Sequence, residues 1–121
     1  MKQHSEVFIR LANEARQRIR EVTPAQAHEL LSSGAVILDV RDKEEFTAGH
    51  IEGATHLSRG TLEMRIHEVI PEKSTPVVCY CMGGNRGALA ADTLQSLGYT
   101  SVTSMQGGMK SYLEFGKGSA G

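Results

Sequence analysis

The sequence predicts an α/β domain, in which a parallel sheet is flanked by helices on both faces and an extra helix precedes it. Two apolar, β-rich runs, at residues 35–40 and 75–80, lack polar alternation, which is typical of strands covered on both faces. Segments with helical apolar spacing lie between and beyond these runs. Because strands that alternate with helices form parallel sheets with right-handed crossovers, this order predicts the fold class.

The first two elements are predicted to be helices. Residues 1–21 place apolar side chains at helical spacing, with Arg and Glu on the other side, so we expect an amphipathic helix packed on the domain. A second helix over residues 24–33 begins with a capping pair, Thr23 and Gln26, and ends at Gly34.

The main domain is expected to span residues 22–115, and residues 116–121 are expected to form a flexible tail. A chain of 121 residues is long enough for one such domain with its own core. The remaining predicted elements are a short helix near 42–49, a strand at 55–57, helices at 61–69 and 86–97, a strand around 102 and a closing helix at 109–115.

Charge and cysteine content exclude several classes of function. Thirteen basic and 14 acidic residues give a net charge of −1, so the chain has no global basic field for nucleic acid or an anionic membrane. No apolar run approaches the roughly 20 residues of a membrane-spanning helix, and Glu6 and Glu14 disfavour a mitochondrial transit peptide. The two cysteines do not resemble a disulfide framework, so we expect a cytoplasmic, reducing location.

The segment from Cys81 to Arg86 lies where a buried strand ends and a helix begins, which is where open α/β sheets bind ligands. Between these two residues stand Met82, Gly83, Gly84 and Asn85. Glycine and asparagine accept unusual backbone angles, so successive N–H groups can turn inward and form an anion-binding nest. We expect the Cys81 sulfur at its centre, with Arg86 closing the cup or supporting the loop.

Cys81 is therefore the candidate nucleophile. A free thiol is only a few per cent ionised at neutral pH, whereas a helix N-terminus and nearby cations favour the thiolate, so we expect Cys81 to be largely anionic. The alternative is that Cys81 is a small buried hydrophobic residue, which leaves the glycine-rich turn without a purpose. For Cys79, inside the strand, a buried and inert thiol is favoured over a resolving partner for Cys81.

The sequence resembles the rhodanese family of sulfurtransferases over roughly residues 22–115. The resemblance rests on four blocks: Asp39-Val40-Arg41 with Glu45-Phe46, Gly49-His50-Ile51 with Gly53-Ala54, the Cys-x-x-Gly-x-Arg pattern of Cys81 to Arg86, and Gly107-Gly108 with Tyr112. It implies a five-stranded parallel sheet flanked by helices on both faces.

The resemblance also implies an activity. By this resemblance, Cys81 would take the outer sulfur of thiosulfate or a related donor as a persulfide and pass it to cyanide, a thiol or a protein acceptor, with no metal or organic cofactor. It places Asp39 and Arg41 beside the loop as supporting partners; an ion pair with only a structural role remains open for them. Arg59 is a further candidate for the pocket rim, with an exposed surface position as the alternative.

Two positions depart from the family pattern, and other functions stay open. Met82 and Tyr112 stand where family members often have Arg and Trp. Without these side chains, strong binding of a small dianion such as thiosulfate is not expected, and the acceptor is then expected to be a protein. A cysteine-based phosphatase or arsenate reductase uses a comparable loop, but with five residues between Cys and Arg instead of four. A noncatalytic or regulatory interaction module is the second alternative. His50 and His56 match no metal-ligand pattern and are expected to have structural roles.

Overall fold

The computed structural model describes residues 5–119, and the side chains of residues 5–116. Its centre is a five-stranded sheet in which every neighbouring pair is parallel, in the order β1-β5-β4-β2-β3. The predicted α/β class and the five parallel strands are confirmed. The strands are β1 Arg20–Val22, β2 Val36–Asp39, β3 Thr55–His56, β4 Val77–Tyr80 and β5 Val102–Met105.

The predicted helical segments are present, and their capping signals operate as expected. The Thr23 hydroxyl accepts a hydrogen bond from the Gln26 amide, and the Gln26 side chain accepts one from the Thr23 amide. A single 3₁₀ turn, Arg59–Thr61, leads into the fourth helix. The helices are α1 Glu6–Arg16, α2 Pro24–Ser32, α3 Lys43–Ala48, α4 Leu62–Val69, α5 Asn85–Ser96 and α6 Gly108–Ser119.

The core lies on both faces of the sheet, because successive residues of a buried strand point to opposite sides. On one face Cys79 and Val77 of β4 pack with α4 and α5 residues such as Leu62 and Leu94. On the other face Val78 and Tyr80 pack with residues of α2 and α6. This two-sided cover explains why β2 and β4 read as continuous apolar runs in the sequence.

The N-terminal segment differs from the expectation of a single helix over residues 1–21. Helix α1 ends at Arg16, and residues 20–22 form β1, which pairs in parallel with β5. The expected domain boundary at residues 21 and 22 therefore falls inside a strand. A three-residue edge strand has too few residues for a periodicity signal, and its pairing with β5 decides its conformation.

The C-terminal segment also differs, because α6 continues to Ser119 where a flexible tail was expected from residue 116. Each glycine costs a helix only about 1 kcal/mol relative to alanine, so a helix already formed can continue through Gly116. Residues 120 and 121 lie outside the described part of the chain, as do residues 1–4 at the other end.

Two negative findings concern residues 5–119. No helix in that range is long and apolar enough to cross a membrane. Nor does the range contain a group of three His, Cys, Asp or Glu side chains placed to hold a metal ion.

Candidate active site

The candidate site lies at the carboxyl edge of the sheet, directly after the central strand β4. Strand β4 ends at Tyr80, and α5 begins at Asn85, so only four residues connect them. Strand β2 pairs with β4 and ends at Asp39, opposite Tyr80. The residues after both strands therefore meet at one edge, where α/β sheets form their ligand sites.

Two backbone amides point at the Cys81 sulfur. The Cys81 residue is 2% exposed, and its Sγ accepts hydrogen bonds from the Gly84 amide at 3.1 Å and the Gly87 amide at 3.3 Å. Gly84 has a φ of +114°, in the left-handed region that favours glycine. The N-terminus of α5 adds the positive end of its dipole at the same point. The Gly84 amide therefore turns inward, as the sequence predicts for this loop.

Gly87 is a donor that the sequence analysis did not identify. A side chain there would lie about 3.2 Å from the Ser104 hydroxyl and the Tyr80 backbone, so its lack of a Cβ lets α5 approach β4 closely. The signal was available, because a glycine inside a helical pattern is costly and usually has a packing or functional reason.

Helix α6 fixes the other side of the loop. The amide of Met109 donates to the Cys81 carbonyl at 2.7 Å, and the amide of Lys110 donates to the Met82 carbonyl at 3.1 Å. Gly108 makes this approach possible, because a Cβ at that position would lie 2.3 Å from the Cys81 carbonyl oxygen. Helix α6 thereby fixes the Cys81 and Met82 peptides at the start of the loop.

Arg86 forms an ion pair with Glu45, the residue that also caps α3. Its Nη1 donates to Glu45 Oε1 at 2.8 Å and its Nη2 to Oε2 at 3.2 Å, while the Asp42 amide donates to Oε1. The bidentate hydrogen bond from Arg86 lowers the pKa of the Glu45 carboxyl and raises the pKa of Arg86. Arg86 also interacts electrostatically with Cys81, so its charge acts near the sulfur while its guanidinium joins α5 to α3.

Asp39 and Arg41 form a buried ion pair under the site, with 0% and 2% exposed area. Arg41 donates to Asp39 through Nε at 3.0 Å and Nη2 at 2.8 Å, and its Nη2 also donates to the Gly49 carbonyl at 2.7 Å. The Tyr80 hydroxyl donates to Asp39 Oδ2 at 2.6 Å and accepts from the Ile51 amide. Burial, assisted by the hydrogen bond to Asp39, raises the pKa of Tyr80, which keeps its hydroxyl a neutral donor.

The second cysteine, Cys79, is fully buried within β4. Burial raises the pKa of the Cys79 thiol to about 12, so this group is a protonated thiol at neutral pH. Both cysteines are free thiols.

A cleft of about 280 Å³ opens beside the loop, and its walls combine apolar side chains with one member of each ion pair, Arg41 and Glu45. Met82 is 42% exposed and Leu113 is 50% exposed at this surface. The cleft is lined by Arg41, Glu45, Ala48, Gly49, Met82, Met109 and Leu113.

One further candidate, Arg59, and the two histidines with expected structural roles do not line this cleft. The Arg59 guanidinium donates to Glu63 and Thr93, on α4 and α5, so it is held away from the predicted rim position. His50 donates from Nδ1 to the Phe46 carbonyl at 2.8 Å, and its ring stacks on Phe46. His56 donates from Nε2 to the Arg41 carbonyl at 2.8 Å. His50 thus has a structural hydrogen bond, and His56 lies half-buried in strand β3, which are the positions expected for them.

A model of the rhodanese-like domain matches residues 23–115 of this chain, which include every residue of the loop and the two central strands β2 and β4. The chain belongs to the rhodanese-like family. The sequence-based resemblance is thereby confirmed. This chain is 37% identical over 93 residues to the thiosulfate sulfurtransferase GlpE of Ectopseudomonas mendocina, and the match covers 75% of this chain and 82% of that protein. It is 41% identical over 91 residues to GlpE of Pseudomonas fluorescens, with the same coverage.

Solved structures of rhodanese-like proteins superpose on most of the chain. A protein of unknown function from Rhodopseudomonas palustris, described as a possible tyrosine phosphatase, is 34% identical with a TM-score of 0.83, and the match covers 96% of both chains. A homodimeric polysulfide-sulfur transferase from Wolinella succinogenes is 30% identical with a TM-score of 0.76, covering 91% of this chain and 84% of that one. A human single-domain sulfurtransferase is 31% identical with a TM-score of 0.70, covering 78% of this chain and 95% of that one.

Proposed function

We propose that this chain is a rhodanese-type sulfurtransferase that carries a sulfane sulfur on Cys81. The observation that supports the proposal most directly is the position of the Cys81 sulfur, 3.1 Å and 3.3 Å from two backbone amides at the start of α5. Such donors stabilise an anionic sulfur, and they need no rearrangement when the charge moves. The names of the related thiosulfate sulfurtransferases give the same reaction class.

The proposed reaction has two steps and conserves electrons overall. In the first, the Cys81 thiolate attacks the outer sulfur of thiosulfate, a Cys81 persulfide forms, and sulfite leaves with the electron pair of the broken S–S bond. In the second, cyanide or a thiolate attacks the terminal sulfur, and Cys81 leaves as a thiolate. The two amides of Gly84 and Gly87 serve both steps, because the Cys81 sulfur and the terminal persulfide sulfur each carry negative charge.

The remaining predicted site residues have supporting roles in this proposal. Arg86 adds positive charge near the sulfur while bound to Glu45. Asp39 and Arg41 hold the floor of the site through their buried pair. The exposed side chain of Met82 forms part of the entrance through which donor and acceptor reach the loop.

The test is the transfer of one sulfur atom to one cysteine. Thiosulfate should add the mass of a single sulfur to the intact protein, and Cys81→Ser should abolish both this adduct and thiocyanate formation from cyanide. Cys79→Ser is the matched control, and it should keep the adduct because the Cys79 thiol is buried and protonated.

Other outcomes would contradict the proposal. An adduct that persists in Cys81→Ser would place the sulfur elsewhere. Hydrolysis of p-nitrophenyl phosphate that depends on Cys81, without sulfur transfer, would instead support the phosphatase alternative. Absence of both reactions in the folded wild-type protein would support a noncatalytic module.

A further inference from the structure

Helix α1 lies outside the segment that matches the family model, yet it contacts the candidate active site. It packs mainly against α5, the helix whose N-terminus surrounds the Cys81 sulfur. Ala12 and Ala15 of α1 are fully buried, and their small side chains allow the two helices to lie close together. The end of α1 is thereby brought beside the sulfur-binding loop.

Arg16, the last residue of α1, makes the direct contact. Its Nη2 donates to the Asn85 side-chain oxygen at 2.9 Å, across 69 positions of sequence. The same Nη2 lies 3.2 Å from the point that a Cβ on Gly84 would occupy. The guanidinium thus rests on the two residues that form the junction between the loop and α5.

The other donors of Arg16 fix the direction of its guanidinium. Nε donates to Glu21 Oε2 at 3.2 Å, and Nη1 donates to Asn13 Oδ1 at 3.0 Å. The side chain is 26% exposed. A planar guanidinium held at three donors has little freedom left, so its hydrogen bond to Asn85 constrains the position of the loop.

We propose that Arg16 is a positioning residue for the sulfur-binding loop, and that α1 is part of the active-site structure. Gly84 adopts a left-handed conformation, and its amide is one of the two donors to the Cys81 sulfur. Helix α6 holds the Cys81 and Met82 peptides from one side, and Arg16 holds the Gly84 and Asn85 junction from another. Loss of Arg16 releases that junction, and the Gly84 amide no longer keeps its direction toward the sulfur.

The chain provides a matched control in Arg18. Arg18 joins the same two regions, because its guanidinium binds both carboxylate oxygens of Asp92 in α5 at 3.0 and 2.8 Å. That contact is remote in sequence from the loop, so it anchors the N-terminal segment without contacting Gly84 or Asn85. If Arg16 only docked α1 on the domain, Arg16→Gln and Arg18→Gln would have equal effects on the rate of Cys81 alkylation.

The experiment compares these two variants with the wild type in the full chain. Arg16→Gln should slow alkylation of Cys81 by iodoacetamide by about five- to tenfold, the effect of losing one hydrogen bond of ordinary strength, while Arg18→Gln should leave it within about twofold. Arg16→Lys, which can still donate to Asn85, should recover part of the rate. Thermal unfolding gives the melting temperature of each variant, and all alkylation rates are measured well below it.

Alkylation does not require sulfur transfer, so this test is separate from that of the proposed function. If the enzyme proposal also holds, Arg16→Gln should lower kcat for thiosulfate more than it raises KM, because the loop acts on the reacting sulfur. A double variant, Arg16→Gln with Asn85→Ala, should be no slower than the slower single variant. Equal alkylation rates in Arg16→Gln and Arg18→Gln, or fully additive effects in the double variant, would overturn the proposal.

Discussion

At the scale of single residues, Cys79 and Cys81 differ in environment although one residue separates them. Cys79 points into the core between β4 and the helices on one face, where burial raises its pKa to about 12. Cys81 follows the last residue of the strand and meets two backbone amides. Residues two apart in a strand point to the same face, so the two cysteines do not differ in direction. They differ because Cys79 lies inside β4 and Cys81 lies in the loop that follows it.

Gly108 provides the first prediction at this scale. Replacing Gly108 by Ala would force a Cβ to 2.3 Å from the Cys81 carbonyl oxygen and 2.7 Å from that of Met82, at a φ of +59°. Both neighbours are backbone atoms, so α6 or the loop has to move. We expect a loss of about 2 kcal/mol in unfolding free energy and at least about a tenfold loss in kcat/KM for sulfur transfer.

Gly116→Ala in the same helix is the control for Gly108→Ala. A Cβ at Gly116 meets nothing within 4 Å, so this change should leave activity intact and raise stability by about 0.5 to 1 kcal/mol. Urea unfolding and steady-state kinetics measure both effects. Equal behaviour of the two variants would show that the close approach of α6 to the loop is unimportant.

At the scale of elements, the pair of Arg86 and Glu45 joins the helix after β4 to the helix after β2. Both side chains are about one-third exposed, at 30% and 32%, so solvent weakens the pair without removing it. The Glu45 carboxylate also accepts from the Asp42 amide at the start of α3. One carboxylate thus caps its own helix and fixes the first turn of another.

This arrangement predicts a pH-dependent contribution to stability. The folded pKa of Glu45 is lowered from its ordinary value of 4.5, chiefly by the hydrogen bonds from Arg86. The stabilisation is therefore complete above the unfolded pKa and is lost as the pH falls through the lower, folded value. At pH 7, Glu45→Gln should destabilise the protein by about 1 kcal/mol, and the difference from the wild type should shrink below pH 4.5.

Urea unfolding at several pH values measures this difference. Glu63→Gln is the control, because Glu63 is 54% exposed and its pair with Arg59 is an ordinary surface pair on adjacent turns. It should change stability by only about 0.5 kcal/mol or less at pH 7. If the difference in unfolding free energy between wild type and Glu45→Gln widened toward acid pH, the stabilising role of the ionised Glu45 carboxylate would be refuted.

At the scale of the whole molecule, a buried network joins the carboxyl ends of the two central strands. Tyr80 ends β4, Asp39 ends β2, and the Tyr80 hydroxyl connects them while accepting from the Ile51 amide. Arg41 extends the network to the Gly49 carbonyl. The edge of the sheet that supports the loop is thereby cross-linked by hydrogen bonds whose central groups, Asp39 and Tyr80, are fully buried.

Tyr80→Phe tests this network. The change leaves the volume nearly unchanged but removes the donor to Asp39 and the acceptor for the Ile51 amide, both buried. We expect a loss of about 2 to 4 kcal/mol in unfolding free energy, since the lost hydrogen bond involves a charged group and an amide is left unsatisfied.

Tyr112→Phe serves as the matched control for Tyr80→Phe. The Tyr112 hydroxyl lies 3.2 Å from His28 Nδ1 at an exposed position, so water replaces the lost interaction and stability should change by about 0.5 kcal/mol or less. Chemical denaturation of both variants gives the comparison. A Tyr80→Phe variant as stable as Tyr112→Phe would mean that the network has no net stabilising effect.

Much of the fold and of the loop was accessible from local sequence. The apolar runs of β2 and β4 indicated buried strands because their side chains meet helices on both faces. Thr23 and Gln26 fixed the start of α2 because a capping box involves only neighbours in sequence. The glycines and Asn85 after Cys81 indicated a loop with inward amides for the same local reason.

By itself, the sequence determined the α/β class, most helix starts and the place of the nucleophile candidate, since these depend on contacts within a few residues. Only the tertiary structure decided that residues 20–22 form a strand, that Glu45 binds Arg86, that α6 holds the loop carbonyls and that Arg16 reaches Asn85. Each of these pairings joins groups far apart along the chain. Their energy exists only after the sheet and helices have packed, so local spacing and composition carry no signal for them.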